Sequence, residues 1–173
     1  MALLDVFDDS DEVIGMADFL KIHKEGLRHR SIQVLVIDKP ITDKNHKLLI
    51  ARRSGKQETS AYKFHPPVGG HVRIGQGYIW AAYEQLQDEL FHDDEIPNEI
   101  DLIEIARYRN DTRETNRENT VLYQIIYTGP FNPNLDETSE LIWQSRSEIT
   151  IGLSKNPDNY TTTLKNALNR FIQ

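Results

Sequence analysis

Four polar side chains in the segment from Tyr78 to Leu90 have the types and spacing that metal chemistry needs: Glu84, Gln85, Asp88 and Glu89. An α-helix advances by about 100° per residue, so Gln85, Asp88 and Glu89 would lie within one arc. Carboxylate oxygens on such an arc suit Mg²⁺ or Mn²⁺, which take oxygen ligands and substrate phosphates. Glu84 lies one turn before Asp88 and could approach the arc from its outer side. The alternative is that these residues form the solvated face of an amphipathic helix.

The same segment has the apolar spacing that would fix this helix on a sheet. Its apolar residues recur every three or four positions, as expected for one buried helical face; they are Ile79, Ala82, Tyr83, Leu86 and Leu90. Pro97 limits how far the helix can extend. The polar arc would then point into the edge of a cleft beside the apolar stripe.

The residues before the helix favour a ligand site at its start. Gly69 and Gly70 follow two prolines, and adjacent glycines suit a backbone that turns sharply near a ligand. His71 comes next and is expected either to bind a phosphate or only to fix the loop, with the structural role preferred. Arg52 and Arg53 end a predicted strand, and because alternate side chains face opposite ways, at most one should reach a phosphate.

Other segments predict mixed strands and helices. Ser31–Asp38 and Lys47–Arg52 read as a hairpin, and Phe64–Gly70 as a bent loop or short edge strand. Further strands are predicted at Asp101–Tyr108, Thr120–Tyr127 and Leu141–Gln144, with a closing helix at Tyr160–Phe171. The pattern predicts one α/β or α+β domain over residues 1–173.

Composition excludes several classes of protein. The 173 residues are 38% hydrophobic and 27% charged, and no apolar run approaches the length of a membrane span. The acidic N-terminus lacks the features of a signal peptide, so the cytoplasm is the expected compartment. The absence of cysteine excludes disulfides, thiolate metal sites and a cysteine nucleophile. A net charge of -7 argues against binding of a nucleic acid duplex but not against a small nucleotide.

The stretch from Gly70 to His92 resembles a Nudix box, whose pattern is G-x5-E-x7-R-E-U-x-E-E-x-G-U with U a bulky apolar residue. In this register Gln76 takes the place of the first Glu, and Glu84 the place of Arg. Gln85 takes the place of the Glu that follows, while Asp88 and Glu89 match the Glu pair. Three further segments resemble the Nudix subgroup close to isopentenyl-diphosphate isomerases; they are Asp5–Gly15, His23–Arg30 and Leu48–Ser54. The resemblance extends over about residues 3–150.

This resemblance implies a Nudix-type α/β/α sandwich with a mixed β-sheet. It implies a metal-dependent hydrolase of a small-molecule diphosphate substrate, with Mg²⁺ or Mn²⁺ held by Glu89, Asp88 and Gln85. Isomerases of this type use a cysteine in the segment equivalent to VGGH, where this chain has Gly69, so isomerase activity is not expected. The alternative is a ligand-binding or regulatory protein that kept the fold and lost efficient catalysis.

The remaining candidates have plainer interpretations. His23, His29 and Arg30 are expected to pack or to face solvent, and His65 and His92 are too scattered for a zinc site. Glu114 and Glu118 lie in a polar stretch that could carry a general base, although a solvated loop is preferred. Trp143 is expected in the core or at a dimer contact, and a homodimer is left open.

Overall fold

A computed structural model of the chain describes residues 3–57, 59–112 and 116–171. The strands within these ranges are β1 (Leu3–Phe7), β2 (Val13–Asp18), β3 (His29–Ile37), β4 (Lys47–Arg53), β5 (Phe64–His65), β6 (Val68–His71), β7 (Ile103–Arg109), β8 (Glu118–Ile126) and β9 (Thr138–Ser145). The helices are α1 (Phe19–Glu25), α2 (Tyr78–Leu90), α3 (Arg146–Lys155) and α4 (Thr162–Phe171).

A mixed sheet forms the centre of the fold. Its strand order is β5-β4-β3-β8-β7, with β6 paired to β3 and β9 paired to β4. Strands β3 and β8 run parallel, whereas the other pairs in the sheet are antiparallel. One side of β3 is divided between two partners, because β6 pairs with Ser31–Val34 and β4 with Val36 and Ile37. Strands β1 and β2 form a separate antiparallel pair.

Helices cover both faces of this sheet. Alternate residues of a strand point to opposite faces, and β3 is apolar on both sides. Ile32, Val34 and Val36 pack in a cluster with Ala82 and Leu86 of α2. On the other face, β3 residues Leu35 and Ile37 pack with α4, which contributes Leu164, Ala167, Leu168 and Phe171. The expected sandwich of helices around a mixed sheet is therefore confirmed.

Two helices that the hydrophobic pattern did not predict are set by capping residues. The seven-residue α1 begins at Asp18, whose carboxylate accepts from the Lys21 amide, and ends at Gly26, whose φ of 64° suits glycine. Helix α3 begins with a capping box between Ser145 and Glu148. Helix α3 buries Ile149 but no other described residue, so it lacks the apolar stripe by which helices are predicted.

The predicted elements are recovered with shifted ends. The β3–β4 hairpin and the α2 helix lie where their patterns place them, whereas β9 is longer than the predicted Leu141–Gln144. The β1–β2 pair was not predicted, because β2 leaves Val13, Ile14 and Met16 exposed and so lacks polar–apolar alternation. Among the described residues, no helix is long and apolar enough to cross a membrane.

Candidate functional site

Strand β6 brings two groups of polar side chains together. One edge of β6 pairs with β3, so Gly69 lies opposite Gln33 and His71 opposite Ser31. The other edge faces α2, where the Gly69 N–H donates to Glu89 Oε1 at 3.1 Å. Gly69 and His71 are two residues apart on one strand, so about 7 Å separates their Cα atoms. Strand β6 thus contacts Glu89 through the Gly69 amide, and it contributes His71 to a second group of polar side chains.

Glu89 is the most deeply buried of the polar residues predicted on α2. It is 4% exposed, and one of its carboxylate oxygens accepts a hydrogen bond from the Gly69 amide. Burial raises the pKa of Glu89 well above its usual range, while the Gly69 hydrogen bond opposes the shift. The charges of Glu137 and Asp88 raise this pKa further, and Arg53 lowers it. A carboxylate in such a position favours a nearby cation, because a cation would compensate the charge that burial penalises.

The other predicted α2 residues differ in where they point. Gln85 lies one turn before Glu89 and rests on Gly70; a Cβ at Gly70 would lie only 2.3 Å from Gln85 Oε1. Gln85 and Glu89 therefore both face β6, as their i and i+4 spacing requires. Asp88 is exposed at the neighbouring position on the helix. Helix α2 thus presents one buried carboxylate, one exposed carboxylate and one neutral amide along the same edge.

Glu84 takes part in a different contact. Its carboxylate accepts from Arg73, and its Oε2 accepts from Gln76 Nε2 at 2.7 Å. Gln76 Oε1 also accepts from the Arg73 amide at 3.0 Å, so the three side chains form one small network. Glu84 therefore ties α2 to the loop that precedes it.

Of the two neighbouring arginines, only Arg53 shares an electrostatic environment with Glu89. Burial lowers the pKa of Arg53, and the charges of Glu89 and Glu137 oppose that shift. Arg53 donates to the Thr59 carbonyl and to Gln57. Arg52 instead pairs with Glu140 at 3.2 Å and lies over the Phe64 ring. The strand alternation behind the prediction is thus observed, with Arg53 on the Glu89 side.

The second group consists of three histidines and a glutamate from four elements. His23 comes from α1, His29 from β3, His71 from β6 and Glu118 from β8. One ring nitrogen from each histidine lies within 4.8 Å of the others. Glu118 Oε1 lies 3.7 Å from His71 Nε2 and 3.8 Å from His29 Nε2. Register explains the convergence: His29 pairs with Glu118 in the β3–β8 ladder, and Ser31 pairs with both His71 and Thr120.

The histidine ring nitrogens are in a state suited to a cation. His29 Nδ1 lies 2.9 Å from the Leu27 carbonyl, an arrangement that places the proton on Nδ1 and leaves Nε2 as the ligand atom. Nε2 of His29 and Nε2 of His71 are buried and have no hydrogen-bond partner among the described residues. Burial, then the charges of His29 and His23, lower the pKa of His71 to about 3. Neutral imidazole is the form that binds metal.

Glu118 is fixed by its neighbours. Its Oε2 accepts from Asn110 Nδ2 at 2.7 Å, and its Oε1 accepts from Asn116 at 3.2 Å. A metal-binding carboxylate is oriented by such hydrogen bonds. Three imidazoles and one oriented carboxylate form a donor set that fits a divalent transition metal such as Mn²⁺ or Zn²⁺.

This cluster differs from the roles that the sequence predicted. His23 and His29 were expected to pack or to face solvent, and His71 to bind a phosphate or to fix a loop. The three rings pack against one another, and the pattern did not predict that their nitrogens converge. Glu118 was placed in a solvated loop, whereas it begins β8 and is 7% exposed. Glu114 lies outside the described residues. His65 and His92 are not among the three histidines of the cluster.

Comparison with known proteins finds isomerases and Nudix hydrolases that are similar to this chain. No family model matches it. It is 27% identical over 171 residues to isopentenyl-diphosphate Delta-isomerase 2 of Photorhabdus laumondii, a match that covers 96% of this chain and 90% of that protein. It is 25% identical over 147 residues to an uncharacterized Nudix hydrolase of Yersinia pestis, covering 85% of this chain and 75% of that one.

Solved structures have the same fold. A Deinococcus radiodurans protein superposes with a TM-score of 0.77 at 16% identity, covering 98% of both chains. A MutT Nudix hydrolase of Burkholderia pseudomallei gives 0.58 at 16% identity, covering 83% of this chain and 97% of that one. A bifunctional NMN adenylyltransferase/ADP-ribose pyrophosphatase of Francisella tularensis, complexed with AMP and a manganese ion, gives 0.56 at 15% identity, covering 82% of this chain and 40% of that one.

Proposed function

We propose that this chain, which has the fold of a Nudix hydrolase, is a metal-dependent hydrolase that cleaves a diphosphate linkage in a nucleotide or related small molecule. One observation carries the proposal. The His23, His29 and His71 cluster and the buried carboxylate of Glu89 are joined through the short strand β6. Gly69, which is exposed, donates to Glu89 and lies two residues before His71 of the cluster, so one short strand carries contacts to both groups able to hold cations.

The two groups suit different cations. Imidazole nitrogens favour Mn²⁺ or Zn²⁺ over Mg²⁺, so the three histidines with Glu118 would hold a transition metal. Oxygen ligands suit Mg²⁺ or Mn²⁺, so Glu89, Asp88 and the carbonyl oxygen of Gln85 would hold the second ion. A divalent cation so bound supplies charge compensation for phosphate oxygens and promotes ionisation of water. The Francisella relative, complexed with AMP and manganese, is consistent with this class of ligand.

The chain's own side chains would bind and orient the diphosphate. Arg53 carries a positive charge beside Glu89, and a guanidinium can donate two hydrogen bonds to one phosphate. The burial of Glu89 strengthens its preference for a proton or a cation over free ionisation. Gly69 is exposed and carries no side chain, so substrate can approach the backbone between the two groups.

Hydrolysis is favoured over isomerisation by the side chains available around Gly69. Several relatives are named isopentenyl-diphosphate isomerases. Isomerisation of a double bond needs groups that give and take a proton at carbon. This chain has no cysteine, and Gly69, two residues before His71, has no side chain that could carry a proton. Hydrolysis, in which a phosphoryl group is transferred to water, needs no such group at that position.

A second candidate is a ligand-binding protein of the same fold with little or no turnover. Glu84 is engaged with Arg73 and Gln76, so it is not available to replace a missing carboxylate. Gln85 offers only a neutral oxygen, which binds a divalent cation less strongly than a carboxylate. Stabilisation by a diphosphate ligand without any product would identify this second function.

The test is a product assay on chelator-treated protein with Mg²⁺ or Mn²⁺ restored. The substrates are nucleoside triphosphates, sugar nucleotides, dinucleotides and isopentenyl diphosphate, with products separated by chromatography. We expect cleavage by the wild type and a loss of about a hundredfold or more in Glu89→Gln and in His71→Gln. His92→Gln, an exposed histidine outside the cluster, is the matched control.

Each outcome has a distinct meaning. Full cleavage by a folded Glu89→Gln variant would refute the role of the α2 carboxylates. Conversion of isopentenyl diphosphate to its isomer would refute hydrolysis as the reaction. Binding without product would move the assignment to the second candidate. Circular dichroism on each variant separates a lost side chain from a lost fold.

A further inference from the structure

A cavity of about 640 Å³ lies between the turn before β4 and the start of α3. It is lined by Lys44, Asn45, His46, Lys47, Ser145, Arg146, Ser147, Thr150 and Ile151. None of these residues belongs to the candidate active site. The volume falls in the range of small-molecule sites, roughly 300–1,000 Å³.

The lining is cationic in a protein that is acidic as a whole. Lys44, Lys47 and Arg146 line the cavity together with no aspartate or glutamate, although the chain carries a net charge of -7. None of the three cations forms an ion pair with a described carboxylate. Three cations gathered around one concave surface attract an anion. We propose that this cavity is a binding site for a small phosphorylated molecule, separate from the active site.

One wall of the cavity is held by a well-bonded turn. The Lys47 amide donates to Asp38 Oδ1 at 2.6 Å, and the Asp38 amide donates back to the Lys47 carbonyl at 3.2 Å. His46 is 9% exposed, its Nδ1 lies 2.8 Å from the Asp43 carbonyl, and its ring packs edge-on against Phe171 of α4. The backbone that carries Lys44 and Lys47 is therefore set before a ligand binds, which lowers the entropic cost of binding.

The opposite wall is aligned with the first by strand register. Lys47 pairs with Ser145 in the β4–β9 ladder, and Arg146 follows Ser145 as the first residue of α3. Lys47 and Arg146 therefore start from neighbouring backbone positions. Glu148 is the acid whose charge interacts with Lys47, and Ser145 hydrogen bonds hold that carboxylate in the α3 capping box. The Glu148 carboxylate is thus engaged in the α3 capping box, and the Arg146 side chain lines the cavity.

The chemistry of the lining defines the class of ligand. Lysine acts as a point charge on phosphate, and arginine can donate two hydrogen bonds to it. Ile151, which is 53% exposed, adds an apolar surface for a small organic part. The small size of the cavity and the negative net charge of the chain disfavour a long polyanion such as a nucleic acid. A phosphorylated metabolite is therefore the ligand that fits.

The experiment is a two-dimensional ¹H–¹⁵N NMR titration with inorganic pyrophosphate. A chelator is present throughout, so that cation-dependent binding at the candidate active site is suppressed. We expect saturable shifts of the amides of residues 44–47 and 145–151, with a dissociation constant below about 1 mM. The double variant Lys47→Gln/Arg146→Gln should weaken binding by roughly tenfold, since each exposed charge contributes a few-fold. The matched control is Lys21→Gln/Lys155→Gln, which removes the same charge from exposed positions on α1 and α3.

The outcomes are decisive because the readout is local. Shifts confined to residues 69–71 and 85–89 would overturn the proposal, as would an absence of saturation up to about 10 mM. Equal weakening in the two double variants would also overturn it, because only the overall charge would then matter. A variant that fails to fold is recognised from its own spectrum, and the wild-type titration then stands as the test. None of these results depends on whether the protein is a hydrolase.

Discussion

Removing His71 should abolish most of the thermal stabilisation that a divalent cation gives this protein. A ligand that binds only the folded state at a concentration of about 100 times its dissociation constant adds roughly 2.7 kcal/mol to the free energy of unfolding. For a chain of this length, each kcal/mol raises the melting temperature by about 2–4 °C. The cation should therefore raise the melting temperature of the wild type by about 5–11 °C.

The His71→Gln variant removes one of the four donors that converge in the cluster. If cation affinity falls by about a hundredfold, the same concentration only equals the new dissociation constant. The gain then drops to about 0.4 kcal/mol, or about 1 °C. The assay is differential scanning fluorimetry of chelator-treated protein with Mn²⁺ or Zn²⁺ added back, and His92→Gln is the control. An undiminished shift in His71→Gln would refute the assignment of the cluster as a metal site.

Two further predictions follow from packing and from burial. Gly70→Ala should lower the free energy of unfolding by about 1 kcal/mol more than Gly69→Ala does. A Cβ at position 70 would displace the Gln85 side chain, whereas a Cβ at position 69 would lie 3.6 Å from its nearest neighbouring atom. Equal losses of stability in urea denaturation would contradict this prediction. Burial, then the charge of Arg53, lowers the pKa of His65 to about 3, so the unfolded chain binds more protons between pH 6.5 and 3. Stability should therefore fall as the pH drops through that window, by up to about 1.4 kcal/mol per unit, and His65→Gln should flatten the slope; parallel curves for the two proteins would disprove this.

Periodic patterns predicted the elements that bury an apolar face. Helix α2 has apolar residues at helical spacing and buries Ala82, Leu86 and Leu90 as expected, whereas Ile79 at its start is 37% exposed. The β3–β4 hairpin follows from two apolar runs separated by a turn. Strand alternation also predicted that at most one of Arg52 and Arg53 faces the site. These predictions succeed because the direction of a side chain in a helix or strand depends on its position along the chain, which the sequence alone gives.

The histidine cluster could not be predicted in this way. Its members come from four elements, and their convergence depends on the register of two strand pairs, β3 with β6 and β3 with β8. Strand register is a tertiary property, and a slip of one residue would turn His29 to the other face. Each histidine alone resembled a packing residue, and Glu118 alone resembled part of a polar loop. The only local hint was that His23 and His29 both precede the apolar run of a predicted strand.

The contact between positions 76 and 84 limits the order in which such a sequence can change. The box pattern has opposite charges at these positions, whereas this chain has an amide and a carboxylate joined at 2.7 Å. Glutamate at both positions would set two carboxylates against each other, so a neutral residue at 76 has to precede the acid at 84. Arg73 then supplies the positive charge from the loop. A hydrogen bond therefore still joins two positions at which the box pattern has opposite charges, although Gln85 leaves the box one carboxylate short.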